Sequence, residues 1–108
     1  MFASRYFNQT GELNFKTLMS NYLDMDYFIT HTSFMRSILS CLKYIKEQHP
    51  DKTKVLLPRY SCMTFAHAII EAGLEIKYCD QNSDDLSIDL QSLEKEYDSE
   101  VLALICVN

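Results

Sequence analysis

The chain has 108 residues, 47 % apolar and 23 % charged, which suits one soluble domain with a single core and leaves no room for two. Two glycines and two prolines exclude long disordered or low-complexity stretches. Ten Lys and Arg against fifteen Asp and Glu give a net charge of −5 without a basic cluster, which argues against nucleic acid or an anionic membrane as partner.

Phe15, Leu18, Met19, Tyr22 and Leu23 recur at helical spacing, and Asn14 offers an N-cap. An extended segment, Tyr27–Thr30, follows and reads as a strand. Ser33 to Glu47 predicts the clearest helix. Its apolar stripe is Phe34, Ile38, Cys41, Leu42 and Ile45, with Arg36, Ser37, Ser40, Lys43 and Lys46 opposite. His49-Pro50-Asp51 ends it, because a residue before proline is biased away from helix. Val55–Leu57 is a short strand stopped by Pro58. A second helix is expected from Ser61 to Ala72, closed by Gly73 in the C′ position. Glu75–Asp80 alternates like a strand, Gln81–Ser87 is polar loop, and Asp89 caps a helix to about Tyr97.

Val101–Val107 is an unbroken β-branched and aliphatic run, the pattern of a strand buried on both faces. It is also the longest apolar run, far short of the ~20 residues that span a bilayer. Met1–Tyr6 lack the apolar core of a signal peptide, so a cytoplasmic chain is expected. Strands alternating with helices imply right-handed crossovers and a mostly parallel sheet. Two-face burial of the last strand needs elements beyond it, so the chain reads as the front part of something larger.

Cysteines stand at 41, 62, 79 and 106 with no CxxC pair. The expectation is inert core thiols and no metal site. In parallel sheets ligands collect at the carboxyl ends of strands. Thr30-His31-Thr32-Ser33 offers hydroxyls and free backbone N–H groups at a helix N-terminus, suited to a phosphate or serving as a plain cap. Pro58-Arg59-Tyr60-Ser61-Cys62 follows the next strand, and Asp80 ends the third. His67 reads as a surface or helix-packing histidine, and Arg59 as a solvated turn residue.

The stretch VLLPRYSCMTFAHAIIEAG, Val55 to Gly73, resembles the V-x-V-P-x-Y-T-x-x-A-T-A-N-A-I-x-x-A-G block of the DegT/DnrJ/StrS family. These are sugar aminotransferases that use pyridoxal 5′-phosphate (PLP). Tyr78 to Asp89, YCDQNSDDLSID, is similar to that family's F-V-D-x-D-x-x-T-L-x-I-D stretch. THTSFMRSIL, from Thr30, is similar to its S-S-G-T-x-A-L-x-L-A-L, and Val101–Val107 lies where the family has an apolar strand. The resemblance covers about residues 15 to 108.

It implies that residues 1–108 form a single domain, the N-terminal portion of the large domain of a fold-type-I PLP-dependent transferase. That is a three-layer α/β/α unit with a mostly parallel sheet. It further implies amino transfer, from glutamate, to a keto-sugar nucleotide in cell-surface polysaccharide biosynthesis, by a homodimer. Thr32 and Ser33 match the pair that holds the PLP phosphate. Cys62 matches the position against one face of the pyridine ring, and Asp80 a structural aspartate. His31 stands where the family has glycine. PLP catalysis needs a lysine for covalent attachment and an acid at the ring nitrogen. None of Lys16, Lys43, Lys46, Lys52, Lys54, Lys77 or Lys95 sits in the family's lysine motif, so no catalytic residue is expected here. The chain alone should be inactive. The alternative is a truncated, non-catalytic relative retained as a binding or interaction module, or a remnant.

Overall fold

The computed structural model describes residues 11–106, with side chains from residue 15 onward. The chain divides into two compact units, Met1–Thr30 and His31–Asn108. The first contains helix α1 (Gly11–Leu23). Asn14 lies inside this helix and does not cap it; an interior asparagine costs at most about 0.7 kcal/mol, which neighbouring turns override. Phe15 meets Phe28 edge to face, with ring centroids 6.4 Å apart. Tyr27–Thr30 forms no strand, contrary to expectation. Tyr27 and Ile29 are exposed, and extended chain becomes strand only where a neighbour completes its hydrogen bonds.

The second unit runs α2 (Phe34–Gln48), β1 (Lys54–Pro58), α3 (Met63–Glu71), β2 (Glu75–Cys79), α4 (Leu90–Glu96), β3 (Val101–Leu104). All three strands are parallel, in the order β2-β1-β3. Ser33 caps α2, its hydroxyl accepting from the Arg36 N–H at 3.2 Å. α3 ends in a Schellman motif: Gly73 N–H donates to the Ile70 carbonyl and Leu74 N–H to the Ile69 carbonyl. Gly73 has φ 72, the left-handed conformation the sequence assigned to it. Asp89 caps α4 by accepting from Gln91 N–H.

α2 and α3 cover one face of the sheet. Their core joins Leu42, Val55, Leu57, Ala68, Ile69, Ala72 and Leu74. The working stripe of α2 is Met35, Ile38, Leu39 and Leu42, whereas Phe34 and Cys41 are exposed. A helix turns 100° per residue, so only part of so wide a stripe can reach one contact plane. α4 packs on β2 from the opposite face, where Leu56 is buried and Lys77 reaches the Glu96 carbonyl.

β3 differs from the sequence expectation. It pairs only with β1, and among its residues Val101 alone is buried. The short α4 lies over β2 and leaves an apolar cleft of about 570 Å³ beside β3, with Leu93, Leu102 and Leu104 in its walls. Val107 lies outside the described residues. Among those described, no helix is long and apolar enough to cross a membrane.

Candidate functional site

α2 and α3 run side by side in the same direction. Phe34, the first residue of α2, meets Phe65 in the first turn of α3, edge to face at 5.4 Å. Lys46, in the last turn of α2, donates to the Gly73 carbonyl beyond the end of α3 at 2.8 Å. Both N-termini therefore sit together at the carboxyl end of β1. This places Thr32 and Ser33, before α2, at the same end of the sheet as Cys62, the N-cap of α3.

The α2 end is equipped for an anion. Thr32 and Ser33 are exposed, and the first-turn N–H groups of a helix have no partner within it. Ser33 uses its hydroxyl oxygen as an acceptor for Arg36 N–H, which leaves its hydroxyl hydrogen to donate outward. The positive-φ residues are Asp24, Leu86 and Gly73 among those described, so His31 needs no glycine-like backbone despite replacing the family's glycine. These groups fit a phosphate.

Cys62 is exposed and makes no side-chain cap of its helix. Its Sγ donates to Thr64 Oγ1 at 3.3 Å. Once ionised, the sulfur accepts from the Thr64 hydroxyl and then from the Thr64 N–H, which holds the thiol below its ordinary pKa. The expectation of inert core thiols fails for Cys41, Cys62 and Cys106, all exposed; the first lies beside the working stripe of α2 and the last beyond the β3 ladder. It holds for Cys79, which is buried in β2 and whose thiol burial pushes up.

Cys62 opens onto a cavity of about 580 Å³ lined also by Tyr60, Ser61, Phe65, Gln81 and Leu86. That is within the range for small-molecule sites. Thr32 and Ser33 are not in its wall, so they and Cys62 lie at the same carboxyl end of the sheet without sharing one enclosed pocket. Arg59 is more than a solvated turn residue. Its Nε donates to Asp80 Oδ1 at 2.9 Å and its guanidinium lies 5.9 Å from the Tyr78 ring centroid. Asp80 thus ties the carboxyl ends of β1 and β2. His67 is exposed, as its sequence position suggested.

Sequence reasoning missed Gln81, whose side chain accepts the Tyr60 N–H and donates to the Leu86 carbonyl, each at 2.9 Å. Nothing in a polar loop marks one amide as a bridge. Three lysines of the second unit are engaged away from this site: Lys52 donates to the Val101 carbonyl, Lys54 pairs with Asp98 and Glu100, and Lys77 with Asp98 and Glu96.

No curated protein matches the chain. Among solved structures it is similar to the sphingosine-1-phosphate lyase of Burkholderia pseudomallei K96243, with a TM-score of 0.59 at 15 % identity. The match covers 65 % of this chain and spans only 17 % of the lyase. The fold is thus the three-layer α/β/α arrangement with a parallel sheet found in the large domain of fold-type-I PLP-dependent transferases. The sequence profile of one aminotransferase family matches residues 4–108, nearly the whole length. On that match the chain belongs to the DegT/DnrJ/EryC1/StrS aminotransferase family.

Proposed function

We propose that the protein to which these residues belong moves an amino group, with PLP as cofactor, from a donor such as glutamate to a keto-sugar nucleotide. The observation that carries the proposal is the meeting of two helix N-termini, one bearing Thr32 and Ser33 and the other Cys62, at the carboxyl end of β1. When bound, PLP supplies an electron sink for bond changes at the amino-bearing carbon.

The chain's own residues bind and orient. The hydroxyls of Thr32 and Ser33 and the N–H groups opening α2 would hold the phosphate, where the helix dipole favours negative charge. The Cys62 side chain would lie against one ring face. Asp80 keeps the strand ends in place through Arg59. The lysine that binds the cofactor covalently and the acid at its ring nitrogen come from outside these residues, so this stretch acts as one wall of a larger site. It forms a single domain with the rest of the large domain, and the protein works as a homodimer in the cytoplasm.

Parallel titrations with PLP and with pyridoxal, which lacks the phosphate, test this. Thr32→Val should weaken PLP about 10- to 100-fold, the value of one charge-assisted hydrogen bond, and leave pyridoxal unchanged. Equal weakening of both would remove Thr32 from the phosphate site. A full-length protein that binds neither would overturn the cofactor assignment.

A further inference from the structure

Two loop segments and Phe65 of α3 wall the 580 Å³ cavity, and one side chain joins the two segments. The first is the turn Arg59–Cys62 after β1, which ends at the Cys62 thiol. The second is the loop after β2, which closes through an isolated antiparallel bridge between Gln81 and Ile88. Leu86 in that loop holds φ 59, a strained conformation for a large side chain, and lines the cavity.

Gln81 Oε1 accepts the Tyr60 N–H and Gln81 Nε2 donates to the Leu86 carbonyl, so one planar amide spans both walls. Other ties on the turn are weaker or more remote. The Arg59 N–H donates to the Cys79 carbonyl and holds only the first residue of the turn. The Arg59–Asp80 ion pair is 67 % and 60 % exposed, and such pairs contribute little. Ser61 Oγ donates within its own turn, to the Pro58 carbonyl. Gln81 falls at a variable position of the motif that resembles the family's, so no family role accounts for it.

We propose that Gln81 is a positioning residue that, through its single amide, sets the Tyr60–Cys62 turn and the Leu86 wall relative to each other, and so places the Cys62 thiol in the cavity. Its purpose rests on the cofactor site proposed above, because the face of the ring is where the thiol would be held. Its consequence for Cys62 is measurable without any cofactor.

The experiment measures iodoacetamide alkylation of Cys62 against pH in a protein with Cys41 and Cys106 replaced by serine. Asp85, the titratable carboxylate in the same cavity wall, is present in every variant. Gln81→Met keeps the bulk and loses both hydrogen bonds. It should let the Tyr60 amide exchange several-fold faster and raise the Cys62 alkylation rate several-fold across the pH range, because the released turn no longer seats the thiol, while the Thr64 bonds still hold the thiol below its ordinary value.

Gln81→Glu keeps an acceptor for Tyr60 and loses the donor to Leu86. Its carboxylate adds a charge to the cavity wall, so it is read by hydrogen exchange: the Tyr60 amide should stay as protected as in the parent, while the Leu86 amide, which donates to Asn82 within the released loop, exchanges faster. That split is informative even if Q81M does not fold. An unchanged Cys62 alkylation rate in Q81M, or a Q81E variant that exposes the Tyr60 amide and leaves the Leu86 amide protected, overturns the proposal. A parent protein that binds no PLP but shows the faster alkylation in Q81M upholds it and overturns only the cofactor assignment.

Discussion

Asp98 lies between two lysines: its Oδ2 accepts from Lys54 and from Lys77, each at 3.1 Å, while Lys54 also pairs with Glu100. The Lys54 and Lys77 hydrogen bonds hold the Asp98 carboxyl down to about 2. Bonds to Glu100 and Asp98 raise Lys54 above its ordinary value. A depressed carboxylate stabilises the fold at any pH above its unfolded value and loses that contribution as pH falls through its folded one. The window for Asp98 is therefore from near pH 4 down to about 2. For Lys54 the sign reverses: its contribution is complete below the ordinary lysine value and fades as pH rises beyond it. Urea midpoints measured down the acid range should fall for the parent protein, and fall less steeply for Asp98→Asn. Identical slopes would mean that the cluster is balanced by solvent and does not stabilise the fold.

At the scale of elements, the end of α3 shows how a local rule and a tertiary contact coincide. Gly73 carries φ 72, and its carbonyl accepts from Lys46 on the neighbouring helix. A Cβ there would meet Lys46 Nζ at 3.4 Å, the flexible end of a side chain, so backbone conformation and not space sets the cost. Gly73→Ala should destabilise by about 1–2 kcal/mol, the penalty of a left-handed alanine. Gly73→Asn should lose less, because asparagine tolerates that region. Equal thermal shifts for the two would show that the penalty comes from crowding. Ser33 and Asp89 are caps of the same legible kind. The Tyr27–Thr30 segment is the counterexample: its sequence is extended and apolar, but strand formation depends on a neighbour.

At the scale of the molecule, the α2–α3 layer and the sheet face beneath it hold most of the buried apolar surface. Ile69 is fully buried, whereas the next residue, Ile70, is 63 % exposed. Ile69→Ala should cost about 2–5 kcal/mol, a large share of the roughly 5–15 kcal/mol typical of a domain. Ile70→Ala should stay within about 0.5 kcal/mol. Chemical denaturation separates them, and comparable losses would place the core elsewhere. The opposite face is less covered: α4 reaches β2, and the cleft beside β3 leaves Leu102 and Leu104 in an open wall.

The sequence by itself determined the kind and order of the elements after residue 33, because their signals are local, but not the extent of β3, which stops at Leu104. Apolar periodicity, a serine or aspartate cap, a proline stop and a glycine in the left-handed region each act within a few residues. Their alternation also determined the parallel sheet, since a helical crossover returns the chain in the same direction. Motif blocks in register were enough to indicate the aminotransferase family. Only the tertiary structure decided which part of the α2 stripe is buried, which cysteines are exposed and that Tyr27–Thr30 stays unpaired. It also decided that Thr32 and Ser33 reach the same carboxyl end of the sheet as Cys62, and that Gln81 joins two loops. Those outcomes depend on partners distant in the chain, and burial or a bridging hydrogen bond exists only once both partners are in place.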